Sequence, residues 1–229
     1  MRDNWIVLLV AILAGLLTYG GLVGGEALLL GDEMATADEA VVEGTTTHLD
    51  RSGRPTAVGE VTNRYGQPIS NVSITVRFFD DGEQIAERTG TTLRGTIPSG
   101  EGAPFTIRMA ETAEVDSVET SISYDRGGDV VTGLTLGDER VVRSSQDQVD
   151  VAATVTNEAG RPLRLSRVVG TFYNDTGATI GARVDRPNRQ LEPGESVTVR
   201  LTFRTLGDVP SQAREYETFR LSVVAEEPE

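Results

Sequence analysis

The stretch GEVTNRYGQPI, from Gly59 to Ile69, returns ninety-four residues later as ATVTNEAGRPL, from Ala153 to Leu163. The frame V-T-N-x-x-G-x-P, closed by Ile or Leu, is kept while the letters around it change. A chain that repeats itself at a fixed offset builds one structural unit twice, and missing the repeat misreads the whole fold. The frame also has a local meaning. Asn and Gly tolerate left-handed backbone, and Pro fixes φ, so the motif reads as a strand that ends in a turn.

The correspondence extends along both copies. Val72, Ile74, Val76 and Phe78 fall on one face at period two, with Asn71, Ser73, Thr75 and Arg77 on the other. That alternation is a half-buried strand. The second copy puts Val168 and Phe172 at the matching places. Hairpin tips follow, DDG at 80–82 and NDTG at 174–177. A Pro-Gly-Glu type of turn comes next, at Ile97–Glu101 and again at Leu191–Glu195. After it come strands with Phe105 and Ile107 in one copy and Val197, Val199 and Leu201 in the other. The pairs Val41-Val42 and Val141-Val142 are read as opening the two units. No long run of helical period interrupts this. The expectation is an all-β chain with tandem sandwiches at 39–125 and 139–226, joined by a linker at 126–138 in which Val130, Val131 and Leu134 suit a further strand.

These residues carry a resemblance. A strand ending Val76-Arg77-Phe78-Phe79-Asp80, after a V-x-N turn and before a Pro-Gly-Glu turn, resembles the FxLYD domain family. The second copy has Gly170 and Asn174 where that family prefers an apolar residue and Asp, so it is the more divergent. The resemblance implies an immunoglobulin-like sandwich in each copy and a place on prokaryotic surface proteins. It implies no reaction.

Residues Trp5–Gly25 contain no charge. As a helix this segment is about 31 Å long, the thickness of a bilayer core. Trp5 and Tyr19 suit the two interfaces. The segment at 1–25 is therefore expected to be a single transmembrane helix, with 26–38 as a stalk and the rest outside the cell. The rival is a cleaved signal peptide, with Trp5–Leu17 as its apolar region and small residues at Val23-Gly24-Gly25. In that case the protein is secreted.

Composition removes several chemistries. There is no Cys, so there is no disulfide, thiolate nucleophile or Cys-bound metal. There is a single His, His48, so no His pair can hold a metal. The net charge is −14, and every one of the 21 basic residues is Arg. An acidic excess repels nucleic acid. All-Arg basicity with abundant acid also has the character of a haloarchaeal, halophilic proteome, where molar salt cuts the Debye length to about 3 Å.

The remaining candidates are few. His48 has Asp50 nearby but no visible nucleophile, and reads as a loop or edge residue. Asp80-Asp81-Gly82-Glu83 offers carboxylates for Ca²⁺, yet Asp-Gly is also the ordinary chemistry of a hairpin tip and the D-x-D-x-D-G spacing is missing. Arg161, Arg164 and Arg167 read as a solvated face. Asn71-Val72-Ser73 and Asn174-Asp175-Thr176 are candidate N-glycosylation sequons, the second on a hairpin tip. Phe79, Val169 and Tyr173 have outer-face parity and form a candidate interaction face, against the linker, the other copy or a partner. No catalytic, cofactor or metal residue is assigned. The expected function is a non-enzymatic cell-surface binding, adhesion or scaffold module, held in the membrane through residues 5–25 and meeting an envelope protein or glycan. The alternative is an accessory subunit of an envelope transporter or secretion complex that docks through its N-terminal helix.

Overall fold

The computed structural model describes residues 7–10, 39–50, 52–145, 148–204 and 216–228. They form strands and loops only. The first unit has one sheet of β2 (Ala40–Leu49), β3 (Pro55–Asn63) and β6 (Gly102–Arg108), in the order β2-β3-β6. Its second sheet holds β4 (Ile69–Asp80), β5 (Glu83–Thr91) and β7 (Ser117–Arg126), ordered β7-β4-β5, with a short β1 (Val7–Val10) beside β7. The second unit repeats the plan. β8 (Leu134–Ser145), β9 (Gln148–Asn157) and β13 (Ser196–Arg204) make one sheet, ordered β13-β9-β8. In the other, β10 (Leu163–Tyr173) pairs with β14 (Thr218–Glu226) along one edge, while β11 (Thr179–Asp185) and β12 (Arg189–Leu191) share the opposite edge. Every pairing is antiparallel.

The sheets face each other in sandwich fashion, each pair around its own core. Val42, Val61, Ile69, Ile74, Phe78 and Phe105 meet in the first. Val151, Val155, Leu165, Phe172, Leu201 and Phe203 meet in the second. The expected alternation holds: Val72, Ile74, Val76 and Phe78 are all buried. Phe78 and Phe172 are fully enclosed, and each contributes on the order of 2–3 kcal/mol by leaving water.

The repeated frame now has a physical reason. Asn63 is fully buried, and its Nδ2 donates to the Gln67 carbonyl at 2.9 Å and the Ile97 carbonyl at 3.0 Å. Its Oδ1 accepts the Tyr65 N–H at 2.9 Å. Asn157 does the same with Arg161, Leu191 and Ala159, at 2.9, 2.8 and 2.9 Å. The backbone completes each knot: Gly100 N–H donates to Asn63 O, and Gly194 N–H to Asn157 O. The two conserved turns of a copy are thus one object, since a single carboxamide fastens the strand-end turn to the Pro-Gly-Glu turn. A buried amide left without these partners would be costly.

Two sequence expectations are corrected. Val141 and Val142 do not open the second core; they are exposed, at 41% and 42%. Leu134 and Leu136 take that role and pack on the second core. They pair with Asn157 and Val155, as Ala40 and Val42 pair with Asn63 and Val61. The ninety-four-residue offset therefore holds through the first strand, and the valine pair broke it. For the same reason β8 begins at Leu134 and not at 139, so the span between units is 127–133. At the N-terminus, Val7–Val10 is a strand paired antiparallel with Thr120–Ser123 of β7. The rest of the segment expected as a membrane helix, and the stalk at 26–38, lie outside the described residues. No helix among the described residues is long and apolar enough to cross a membrane.

Candidate functional site

β3 is buried on both sides. Ala57 and Val61 face the first core. Thr56, Val58 and Glu60 have the opposite parity, yet all three are buried. The second unit covers them: β11 lies against β2, β3 and β6. The outward face of one sandwich is therefore an internal surface of the molecule.

Polar bonds fix this contact. Glu60 is ion-paired with Arg220 and accepts the Tyr173 hydroxyl at 2.9 Å. The Arg220 guanidinium also lies over the Tyr173 ring, 5.8 Å from its centroid. Burial pushes the Tyr173 phenol up to about 12, so it stays a donor to Glu60 at any ordinary pH. The Thr46 hydroxyl donates to Thr179 O at 2.5 Å, and Arg167 donates to Leu93 O at 3.3 Å. Gly44 passes close to this strand, where an added Cβ would sit 3.1 Å from Thr179 N, and its φ is +58°. Only glycine meets both conditions without strain.

At one end of the interface lies a cavity of about 190 Å³. His48, Asp50, Val58 and Arg108 line it from the first unit, and Ile180, Arg183 and Phe203 from the second. Each wall has a structural cause. Asp50 starts the turn between β2 and β3, where its carboxylate accepts the N–H groups of Ser52 and Arg54 and the guanidinium groups of Arg54 and Arg108. Those bonds, led by the Arg54 N–H, hold its acid well below the usual carboxylate range. Phe203 stacks on Phe172 at 4.4 Å between centroids and supports Arg183 on its ring at 5.2 Å. Gly181 makes room for this, because a Cβ there would lie 2.2 Å from the Phe203 ring. Arg183 donates to the carbonyls of Ala182 and Arg204 and forms no ion pair with a carboxylate among the described residues. His48 has a buried Nδ1 without a partner. Burial, then the nearby Arg183 charge, lowers its pKa to about 4, with Asp50 opposing. The imidazole is therefore neutral at pH 7.

The other candidates fall as follows. Tyr173 is in the contact between the two copies, Val169 is buried outside the second core cluster, and Phe79 is half-buried at the end of β4. Asn71 is exposed, in left-handed backbone at φ +50°, with its Nδ2 bonded to Asp125 at 2.8 Å. Asn174 is half-buried on its hairpin, and its Oδ1 accepts the Thr176 N–H and hydroxyl and the Ala178 N–H. Asp81 and Gly82 have φ of +49° and +77°, so the backbone of the turn accounts for the Asp-Gly pair. Asp80, Asp81 and Asp116 gather there with carboxylate oxygens within 4.8 Å of one another. Arg161 and Arg164 pair with Glu227 and Glu226, and Arg167 reaches across to the first unit. The sequence reading missed Glu60, Arg220 and Arg183, which are single charges in strands with nothing local to mark them.

No protein-family model matches the chain, and no curated protein matches it. Solved structures do match, at low similarity. Red sea bream transglutaminase is 12% identical with a TM-score of 0.27, over 83% of this chain and 29% of its own. The exo-chitosanase of Amycolatopsis orientalis is 14% identical with a TM-score of 0.29, over 80% of this chain and 26% of its own. A Bacteroides uniformis beta-glucuronidase is 15% identical with a TM-score of 0.23, over 66% of this chain and 21% of its own. This chain thus spans less than a third of each, and such likeness carries no argument about activity.

Proposed function

We propose that the chain is a non-enzymatic binding or scaffold module of the cell envelope, made of two tandem immunoglobulin-like sandwiches of the FxLYD kind and held by an N-terminal membrane anchor. The observation that carries the reading is the docking of the two copies. Buried Glu60, gripped by Tyr173 and Arg220, joins units that a flexible linker would otherwise leave free. A rigid pair presents its remaining faces and edges in fixed relation, which suits recognition of a partner. The uncharged stretch Trp5–Gly25 supports the anchor, which requires Val7–Val10 to leave β7 when the segment enters the bilayer, and the two sequons on strand and hairpin positions support an extracellular setting. The all-Arg, acidic composition supports a haloarchaeal surface. The test is intact mass and glycan mapping of the native protein from washed membranes. A membrane-bound species that retains residues 1–25 and carries sugar on Asn71 or Asn174 is expected. A processed, unmodified protein in the medium would overturn the anchor and leave a secreted module.

A further inference from the structure

We propose that the cavity between the two units is a binding site for a small organic monocarboxylate with a compact apolar body. The inference deepens the binding-module reading above by naming the ligand of one site. Size comes first. The cavity measures about 190 Å³, and a dry apolar cavity of about 150 Å³ holds a benzene ring. One ring or a short branched chain plus a carboxylate fits. Polarity comes second. Val58, Ile180, Ala182 and Phe203 form an apolar side, so a bare ion would leave most of the wall unmatched.

Charge selects the head group. Among the lining residues, Arg108 and Asp50 are bonded to each other at 2.9 Å. His48 is neutral at pH 7. Arg183 is left over, a positive charge carried on the Phe203 ring and, among the described residues, bonded to carbonyl oxygens and to no carboxylate. One excess positive charge calls for one negative charge, and the adjacent Asp50 carboxylate penalises a dianion. A guanidinium fork matches the two oxygens of a carboxylate. His48 also lines the cavity, so its ring reports on occupancy. Because the walls come from both copies, an occupied site also ties them together.

The test is a proton NMR titration of the full chain at fixed ionic strength, following the ring C–H signals of His48. As the only histidine, it needs no assignment. The probes are benzoate, acetate and chloride. Benzoate is expected to shift the His48 signals to saturation, and to bind at least about tenfold more tightly than acetate, which lacks the apolar body. Arg183→Gln is expected to weaken benzoate by at least about tenfold, Arg183→Lys by less, and the exposed Arg186→Gln not at all. Absence of a saturable shift, unchanged binding in Arg183→Gln, or chloride that binds as tightly as benzoate overturns the proposal. If Arg183→Gln loses the native far-UV spectrum, Thr106→Phe obstructs the same cavity from an exposed lining position and must weaken benzoate with Arg183 intact. The two proposals fail separately. A protein that is processed and unmodified yet binds benzoate keeps this site and loses the anchor, and an anchored protein that ignores benzoate does the reverse.

Discussion

Replacing Asn63 by Ala tests whether the repeated frame exists for the knot it ties. The carboxamide makes three hydrogen bonds, at 2.9, 3.0 and 2.9 Å, from a fully buried position. Each such bond is worth about 1 kcal/mol net, so the first estimate of the loss is roughly 3 kcal/mol. Two features keep it from growing. The Ile97 carbonyl retains its bond from Ile69 N–H at 3.0 Å, and Gln67 is exposed, so water can reach its carbonyl. In a protein of this size 1 kcal/mol moves Tm by about 2–4 °C, which gives a fall of roughly 6–12 °C. Calorimetry of the full chain measures it. Asn157→Ala must lose a similar amount, because its three bonds are matched atom for atom. Asn63→Asp should be worse than Ala at neutral pH, since it sets a carboxylate against the Gln67 and Ile97 carbonyls. It should recover partly in acid, where a protonated carboxyl can donate once. A loss under about 1 kcal/mol in both alanine variants would refute the argument, because the buried bonds would then be net neutral against water.

Arg220→Ala leaves the Glu60 carboxylate enclosed with only the Tyr173 hydroxyl; the expected loss is about 2–3 kcal/mol, less than for a fully buried pair because Arg220 is half exposed. Its sign is earlier proteolysis in the 127–133 span, and Tyr173→Phe should cost only about 1 kcal/mol in urea unfolding. Gly181→Ala puts a methyl group into the Phe203 ring and should cost about 1–3 kcal/mol by urea unfolding. His48 is held down to about 4 when folded, against 6.5 when free, so the unfolded chain takes its proton first as pH falls. Its stability contribution is complete above about 6.5 and declines on acidification to about 4, by roughly 2–3 kcal/mol. The difference in melting between wild type and His48→Gln should track that window and be flat outside it.

The parts of the fold that were legible in sequence were those written in periodicity and turn chemistry. Val72 to Phe78 alternate, and the Pro and Gly of the two frames mark their turns, because these rules act within a few residues. Val141-Val142 shows the limit. Two adjacent valines look like a strand opening by composition, but both are exposed at a register shift of an edge strand whose core residues are Leu134 and Leu136. The repeat offset was the better guide, because it encodes register. The site was scarcely legible. The cavity joins His48 to Arg183 and Phe203, more than a hundred residues apart, and nothing local to any of them signals the other two.

A signal for the interface was nonetheless present, in the differences between the copies. At the shared offset, Thr75, Arg77 and Phe79 of β4 correspond to Val169, Thr171 and Tyr173 of β10. Both sets have outward parity. In the first copy they form polar cross-strand pairs, Thr75 with Thr89 and Arg77 with Glu87, as a face in water should. In the second copy an apolar residue, an uncharged one and a phenol replace them, and the Tyr173 hydroxyl reaches Glu60. The relation inverts on the other sheet. Thr56, Val58 and Glu60 of β3 are covered by the second unit; their counterparts are Asp150, Ala152 and Thr154, of which Asp150 is ion-paired with Arg200 and Thr154 donates to Asp138. The contact is therefore heterologous: one face of the first copy meets a different face of the second. Such a contact could continue into a filament if each copy kept both sticky faces. Among the described residues each copy offers only one of them: the outward face of β4 is laced with ion and hydroxyl pairs, and Asp150 on the central strand β9 is paired with Arg200. The copies thus differ in chemistry at the face that docks, polar on β4 and largely uncharged on β10. The frames that tie the turns, which serve both copies alike, stayed the same.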